Sequence, residues 1–222
     1  MDLAAFDFAD ARARMVDSQV RPNKVTDPRI LAAMRALPRE RFLPAGRAAL
    51  AYGDDDIPLG GGRAMLAPMV IARLVQLLAP QTGERALVVA AGPGYGAALL
   101  AACRARVTAL EDDPALYALA ARALGETAPG VELVAGPLAA GWPAGAPYDM
   151  ILIEGAVRDI PPALATQLRA DGGRLVGVRQ IAGAVGQAVL AEPTPLGLRA
   201  RPMFDCATAP IPALLPKPAF VF

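Results

Sequence analysis

The stretch ALVVAAGPGYGAALLAA, residues 86–102, indicates how the middle of this chain folds. It begins with an apolar run that is typical of a buried strand, and Gly92-Pro93-Gly94 then requires a sharp turn. A helix of small residues follows from about Tyr95. Glycines at such a turn let backbone amides approach a ligand, and a helix N-terminus favours anionic or electron-rich groups. The stretch therefore predicts a strand, a ligand-binding turn and a helix.

The length and composition indicate one domain, or one domain with an appendage, and an aliphatic core. Of 222 residues, 55% are hydrophobic and only 5% are aromatic. The 22 basic and 21 acidic residues give a net charge of +1, so charge offers no reason to expect nucleic acid or a membrane surface as a partner. The chain contains no histidine. Histidine triads, histidine metal sites and histidine general bases are therefore excluded.

The N-terminus and the cysteines favour a cytoplasmic protein. The opening MDLAAFDFADARARM carries acidic residues where a signal peptide needs positive charge, and no run reaches the roughly 18 apolar residues of a membrane span. Cys103 and Cys206 form no CxxC pair. Because Cys103 lies on the apolar helix after the turn, we interpret it as a buried, unreactive thiol.

From residue 85 onward, strand and helix patterns alternate. This alternation predicts a doubly wound α/β sheet whose ligand site lies at the carboxyl ends of the strands. Asp171-Gly172-Gly173 is expected to end the last helix. After residue 180 two strand-like pieces predict a final antiparallel pair. The candidate strands are 85–90, 106–111, 131–134, 148–154, 174–179, 185–191 and 198–206, and the helices are 95–104, 113–124 and 161–170.

The first 80 residues predict helices and one polar loop. A helix is expected over 1–20 and another over 28–37, with Asp27 as its N-cap. The glycine-rich segment GDDDIPLGGGRAMLAP, residues 53–68, is predicted to be a loop that leads into an apolar helix. We expect residues 1–80 to pack on a Rossmann-like domain formed by 81–222, giving one compact unit.

Two features together indicate a nucleotide-like ligand. Gly92-x-Gly94-x-x-Ala97 matches the loose dinucleotide fingerprint, although a plain tight turn remains the alternative. Glu111 ends the next strand, 17 residues after Gly94, near the roughly 20 expected for an acid that binds a ribose diol. A carboxylate suits this task because it accepts two hydroxyl hydrogen bonds at once. A solvated acid near the following helix is the alternative to this favoured interpretation.

Two enzyme classes use such a site. A nicotinamide oxidoreductase often brings a tyrosine with a lysine four residues further on, and neither Lys24 nor Lys217 stands in that relation to a tyrosine. An S-adenosylmethionine enzyme chiefly needs the acceptor held in line with the methyl carbon. A carboxylate acceptor, with a reference pKa of about 4, is already ionised at neutral pH. The absence of histidine therefore favours methyl transfer.

Six segments, taken in order and spacing, resemble the protein-L-isoaspartate O-methyltransferase family, and more closely a divergent bacterial branch of it. The resemblance covers nearly the whole chain. It implies a Rossmann-like, seven-stranded methyltransferase sheet, mostly parallel, with an antiparallel C-terminal hairpin and a helical N-terminal extension. It also implies S-adenosylmethionine as cofactor and repair methylation of isoaspartyl carboxylates in a protein or peptide substrate. The segments are VTDPRILAAMRALPRERFLP, IPLGGGRAMLAPMVIARLV, GPGY, VTALEDDP, GWPAGAPYDMILIEGA and LRADGGRLVGV.

The cofactor positions implied by the family are only partly kept. Its first motif has an acid, an apolar residue and then Gly-x-Gly-x-Gly-Tyr. Here Val88 stands at the acid and Ala90 at the first glycine, whereas Gly92, Gly94 and Tyr95 match. The methyl group of Ala90 is expected to crowd the amino-acid end of the cofactor.

A second departure falls near the expected adenine position. The family has Gly-Asp after its third strand, and this chain has Gly136-Pro137 followed by Leu138. Proline removes both the carboxylate and a backbone donor. Among the implied ribose and adenine contacts, Glu111 is thus the one clear ligand kept by residue type.

The implied substrate loop also differs. It contains Met65, Leu66 and Pro68, and Leu66 occupies the position of the serine to which the family's catalysis is usually assigned. Leucine cannot donate a hydrogen bond, so no catalytic residue is identified. Arg63 is a candidate for holding a carboxylate substrate, with a solvated arginine as the alternative. Glu154 is a candidate replacement ligand, with a surface acid at a strand end as the alternative.

These losses predict a degenerate site. Each missing hydrogen bond to a charged group costs roughly 1.5–3 kcal/mol, so two losses weaken binding roughly a hundred- to ten-thousand-fold. We therefore expect weak or absent isoaspartyl methylation. A non-catalytic binding or scaffold protein and an NAD(P)-dependent oxidoreductase remain as alternatives. The oligomeric state and the true methyl acceptor are left open by the sequence.

Overall fold

A computed structural model describes residues 7–181 and 183–216. It contains one large sheet with helices on both faces and a separate small hairpin. The hairpin consists of β1 and β2, and the large sheet contains the other strands. The strands are β1 Ile57–Gly60, β2 Arg63–Met65, β3 Arg85–Val89, β4 Arg106–Glu111, β5 Glu132–Ala135, β6 Met150–Val157, β7 Arg174–Arg179, β8 Gln187–Thr194 and β9 Gly197–Asp205.

The large sheet has the strand order β5-β4-β3-β6-β7-β8-β9. The strands from β3 to β7 pair in parallel, and β8 and β9 add an antiparallel hairpin. Every residue of β6 is buried, as expected for a strand covered on both faces. The predicted Rossmann-like, seven-stranded fold is therefore confirmed. The strand order reverses between β3 and β6, so a ligand crevice is expected at their carboxyl ends.

The helices cover both faces of this sheet. Asp27 caps α2 by accepting the backbone N–H of Arg29, and Pro28 occupies the first helical position, as the sequence predicted. The helix expected over 1–20 is described from residue 8 as α1 and continues as a wider π-helical segment, Val16–Val20. The helices are α1 Phe8–Met15, α2 Pro28–Ala36, α3 Pro68–Leu78, α4 Tyr95–Ala102, α5 Pro114–Thr127 and α6 Pro162–Ala165.

Three local predictions were wrong. The helix expected over 161–170 is only the short α6, because the chain after it runs beside Tyr148. The Tyr148 N–H donates to the Gln167 carbonyl at 2.8 Å, and the Arg169 N–H donates to the Tyr148 carbonyl at 2.8 Å. Asp171-Gly172-Gly173 is consequently a turn before β7 and not a helix cap. The loop expected over 53–68 contains the hairpin β1–β2.

The N-terminal segment shares its core with the sheet. Ile30, Phe42 and Ile71 belong to the same buried cluster as Val88 and Leu152. The division of the chain at residue 80 stays a prediction.

The interpretation of Cys103 as a buried thiol is confirmed, since it is 2% exposed and burial raises its pKa. Within residues 7–181 and 183–216, no helix has the length and apolar character needed to cross a bilayer.

Candidate functional site

The turn after β3 is built from residues with positive φ angles. Ala90, Gly92 and Gly94 have φ values of +58°, +55° and +94°. A side chain at Gly94 would place its Cβ 2.9 Å from Leu124, so glycine is required there by both conformation and space. Ala90 adopts the same left-handed region with a methyl group, at a cost of roughly 1–2 kcal/mol. The turn thus keeps the expected shape, with strain at the position where the family has glycine.

Glu111 lies at the carboxyl end of β4, directly beside this turn. Its side chain has no exposed surface. The carboxylate accepts the Gly92 N–H at 2.6 Å and the N–H groups of Asp112 and Asp113 at 3.1 and 3.0 Å. The alternative of a solvated acid is therefore wrong. Glu111 is instead hydrogen-bonded to the glycine turn, where a ribose-binding acid is expected.

Arg63 occupies both oxygens of this carboxylate. Its Nη1 lies 2.9 Å from Oε1 of Glu111, and its Nη2 lies 3.1 Å from Oε2. Nη2 also donates to the Ala90 carbonyl at 2.8 Å, and the Arg63 side chain is 7% exposed. The alternative of a solvated arginine is wrong. Because the planar guanidinium already pairs with Glu111 through two parallel hydrogen bonds, it is not free for a substrate carboxylate in this conformation.

The hairpin β1–β2 brings Arg63 to this position. Gly60, Gly61 and Gly62 have φ values of +101°, +57° and +76°, which allow the chain to reverse between the two strands. Asp56, just before the hairpin, accepts the Ala67 N–H at 2.7 Å just after it. Both ends of the hairpin are thereby held together, and Arg63 at the start of β2 points towards Glu111.

Glu154 lies on β6 and is buried against the first turn of α4. A Cβ built on Gly96 would lie 2.2 Å from its Oε1, so a glycine is needed for this carboxyl group to fit. Oε1 has no hydrogen-bond partner among the described residues. Burial raises the pKa of Glu154 to about 8, although the charges of Arg63 and Arg39 lower it. At 7% exposure Glu154 is not a surface acid, so that alternative is wrong.

Arg39 was not identified from the sequence. It is fully buried, with its guanidinium 4.7 Å from the ring centroid of Tyr95. Nε donates to the Ala51 carbonyl at 2.8 Å, Nη2 donates to the Leu66 carbonyl, and Nη1 has no partner among the described residues. An arginine within RERFLP carries no signal of burial, because its partners lie 12 and 27 residues away along the chain.

The remaining predicted positions surround these groups. Leu66 is 1% exposed and Met65 is 2% exposed, and both belong to the apolar core with Pro68 beginning α3 beside them. Pro137 is exposed, whereas Leu138 is buried in a short helical turn after β5. The Gly136 N–H donates to the Glu111 carbonyl at 3.3 Å, so this turn adjoins the glutamate. The assignment of all these residues to cofactor or substrate stays a prediction.

A cavity of about 270 Å³ opens beside the ion pair. Its lining includes Gly61, Arg63, Asp112 and Pro212, but not Glu111. Burial and the neighbouring Glu111 carboxylate raise the pKa of Asp112. Arg63 therefore stands between this cavity and the buried glutamate.

The sheet order, the glycine turn and the acid ending β4 define a Rossmann-like α/β protein with a candidate nucleotide site at the switch point. Residues 11–184 match the family model described as protein-L-isoaspartate(D-aspartate) O-methyltransferase (PCMT). The chain belongs to this family, and the resemblance seen in the sequence is confirmed.

Two relatives of this chain have sequence identities of 44% and 43% to it. "Protein-L-isoaspartate O-methyltransferase 1" of Rhodopseudomonas palustris (strain HaA2) is 44% identical over 173 residues, which is 78% of this chain and 70% of the relative. "Protein-L-isoaspartate O-methyltransferase" of Methylorubrum extorquens (strain PA1) is 43% identical, over 77% of this chain and 74% of the relative.

Two solved structures share the fold. One, titled protein-L-isoaspartate O-methyltransferase, has a TM-score of 0.78 at 22% identity, and the match covers 91% of this chain but 65% of that chain. The other carries the same family name, comes from Plasmodium falciparum and was solved in complex with S-adenosyl-L-homocysteine. Its TM-score is 0.75 at 16% identity, over 90% of this chain and 97% of that chain. At these identities the likeness supports the fold alone.

The predicted cofactor, S-adenosylmethionine, is confirmed for this family of methyltransferases. The residue types at the turn and at Glu111 suit the ribose of S-adenosylmethionine, but the described positions of the side chains leave no room for that ribose at Glu111. Both carboxylate oxygens are held by Arg63, and Glu111 has no exposed surface. A ribose diol therefore cannot reach Glu111 while Arg63 keeps this position.

Proposed function

We propose that this chain is an S-adenosylmethionine-dependent methyltransferase that acts on isoaspartyl carboxyl groups of proteins or peptides, with low turnover. The observation that supports this most is the hydrogen bond from the Gly92 amide to the Glu111 carboxylate, 2.6 Å long, at the carboxyl edge of the sheet. This bond fixes an acid beside the glycine turn, as a ribose-binding site needs. Family membership supplies the reaction class.

Two features support a low turnover. Methyl transfer requires two reactants to be held in line. Here Arg63 fills the ribose position, and Leu66, at the position of the family's serine, is a buried apolar residue. Arg63 thus occupies the carboxylate acceptors that a ribose needs, and Leu66 has no hydrogen-bonding group for the acceptor. We therefore expect a degenerate site whose cofactor binding and acceptor alignment are both weak.

A non-catalytic binding protein is the second candidate. The burial of Leu66, which is 1% exposed, favours this second candidate, because a buried leucine stands where a catalytic hydroxyl is expected and no other hydroxyl is assigned to take its place. Such a protein binds the cofactor or a peptide without turnover. Nothing in the family match supports an oxidoreductase.

The proposed partners follow from charge and family. The net charge of +1 gives no electrostatic support for nucleic acid or a membrane surface as a partner. Because of the family to which the chain belongs, we propose a protein or peptide substrate. We place the reaction in the cytoplasm, consistent with the expectation from the sequence.

The experiment is transfer of a labelled methyl group from S-adenosylmethionine to a synthetic isoaspartyl peptide. A peptide with normal aspartate at the same position is the control, and the Rhodopseudomonas palustris relative is the comparison enzyme. We expect incorporation that depends on the isoaspartyl residue, at about one hundredth of the relative's rate or less. A rate comparable to that of the relative contradicts the low turnover. Binding of S-adenosylhomocysteine without any methyl transfer supports the non-catalytic candidate.

A further inference from the structure

The guanidinium of Arg63 is placed where a ribose diol is expected to bind. A diol offers two hydroxyl donors to one carboxylate, and Arg63 offers two N–H donors to the same two oxygens of Glu111. The two interactions are mutually exclusive, because the remaining acceptor capacity of the carboxylate is taken by the amides of Gly92, Asp112 and Asp113.

The surroundings of Arg63 show that it closes off this carboxylate from solvent. Glu111 is fully buried, while the cavity of about 270 Å³ beside it is lined by Arg63 and Asp112. A ligand in that cavity meets the guanidinium before it meets Glu111.

Arg63 also carries a positive charge among several acids. Its Nη1 lies 2.9 Å from Glu111 and 3.7 Å from Asp112, and its charge lowers the pKa of the buried Glu154. When Arg63 leaves, Glu111 and Asp112 lose this cation, and Glu154 keeps only the influence of Arg39. The ion pair therefore resists opening, although such buried pairs contribute little net stability compared with an apolar replacement.

Arg63 belongs to a short hairpin outside the large sheet. Among the described residues, β1 and β2 pair with each other and with no other strand; Gly60 ends β1, and Gly61 and Gly62 join it to β2. Glu111 and the glycine turn belong instead to the large sheet, at the ends of β4 and β3, so Arg63 and Glu111 are carried by separate sheets.

We propose that Arg63 is an internal competitor of the cofactor: an adenosyl ligand reaches Glu111 only after the guanidinium has left it. This inference rests on the proposed function, because it assumes that Glu111 receives a ribose. It identifies Arg63 as the residue that sets cofactor affinity. The apparent affinity is the intrinsic affinity multiplied by the fraction of molecules in which Arg63 is displaced, so it is low while the ion pair is mostly closed.

The first experiment is calorimetric titration of S-adenosylhomocysteine into wild type and Arg63→Gln. We expect the variant to bind at least about tenfold more tightly, because the competitor has been removed. The double variant Arg63→Gln with Glu111→Gln is expected to lose this gain. Arg174→Gln is the control, since it removes an arginine from a less buried glutamate pair, Arg174–Glu84 at 2.7 Å, outside the proposed site.

A second variant and a wild-type measurement protect the test against misfolding of Arg63→Gln. Arg63→Lys keeps the charge but cannot form two parallel bonds to the carboxylate, so a smaller gain is expected. In wild type, phenylglyoxal modification followed by mass spectrometry reports the exposure of each arginine. Arg63 is expected to become reactive when S-adenosylhomocysteine binds, while buried Arg39 stays protected and exposed Arg14 reacts throughout.

The outcomes separate this inference from the proposed function. Tighter binding by Arg63→Gln, or exposure of Arg63 on binding, supports the inference. Binding that is unchanged or weaker in both Arg63 variants, with Arg63 still protected in the complex, overturns it and leaves the cofactor assignment intact. If S-adenosylhomocysteine binds to no variant, the proposed function is itself overturned.

Discussion

Arg63 and Glu111, 48 residues apart in the chain, form a buried ion pair through two parallel hydrogen bonds of 2.9 and 3.1 Å. The acid that the sequence marks as a cofactor ligand is thus already engaged by a residue of the substrate loop. The same pair connects the small hairpin to the carboxyl edge of the sheet. Stability and ligand binding are therefore expected to depend on the same two side chains.

Single substitutions of this pair are expected to be costly. Glu111→Gln leaves the buried Arg63 with only the more distant Asp112 carboxylate, 3.7 Å away, and Arg63→Gln leaves the buried Glu111 carboxylate without a cation. Each is expected to lower the free energy of unfolding by about 3–5 kcal/mol, and the double variant by clearly less than the sum. Urea denaturation of the four proteins measures this coupling. Additive effects would show that the two side chains do not interact.

Glu154 is expected to make stability depend on pH. Its pKa is raised from 4.5 to about 8 in the folded protein, so between about pH 5 and pH 8 the unfolded chain loses a proton that the folded chain keeps. The free energy of unfolding therefore falls as pH rises through this range, by up to about 1.4 kcal/mol per pH unit from this group.

Glu154→Gln removes this contribution because the amide does not titrate. The difference in unfolding free energy between variant and wild type should grow in favour of the variant from pH 5 to pH 8 and then level off. Urea denaturation at pH 5.5, 6.5, 7.5 and 8.5 measures it. A constant difference across this range would contradict the raised pKa of this buried carboxyl group.

Gly96 is expected to be required by the position of Glu154. The Cβ of Gly96→Ala would meet Oε1 of Glu154 at 2.2 Å and Cδ1 of Ile71 at 3.1 Å. We expect a loss of about 1–3 kcal/mol in thermal or urea unfolding, reduced when Glu154→Ala is added. Gly125→Ala is the matched control, because nothing lies within 4 Å of its Cβ in α5 and the change should stabilise the helix by about 0.5–1 kcal/mol. An equal loss with and without Glu154 would refute this contact.

Leu66→Ser tests the proposal that the lack of a hydroxyl at this position limits turnover. Because Leu66 is 1% exposed, both Leu66→Ser and Leu66→Ala are expected to cost about 2–5 kcal/mol in stability. Only the serine variant restores a hydrogen-bonding group, so it alone should methylate the isoaspartyl peptide faster than wild type. Adding Pro137→Asp should raise the rate further. Equal rates for the serine and alanine variants, if both fold, would mean that the hydroxyl is not what limits turnover.

The sequence was informative where a local pattern determines structure. The alternation of strands and helices, the Asp27 cap and the antiparallel end of the sheet were predicted correctly. The extent of α6 was not, because the pairing of Tyr148 with Gln167 and Arg169 is a non-local contact that competes with helix formation.

Prediction of the candidate site was limited in the same way, by contacts between residues that are far apart in the chain. The glycine turn and Glu111 carry a recognisable spacing, so both could be found from the sequence. The burial of Arg63, Glu154 and Arg39 depends on how the hairpin, α4 and the N-terminal segment pack together. Charged residues in polar or strand-end positions give no local signal of such burial, which is why solvated alternatives were retained for Arg63 and Glu154.

The most direct measurement is a crystal structure of the wild-type protein with S-adenosylhomocysteine. We expect ribose hydroxyls within hydrogen-bond distance of the Glu111 carboxylate, the Gly92 amide still bound to Glu111, and the Arg63 guanidinium moved away from both oxygens. A complex in which the ligand occupies the crevice while the Arg63–Glu111 pair remains intact would contradict this arrangement.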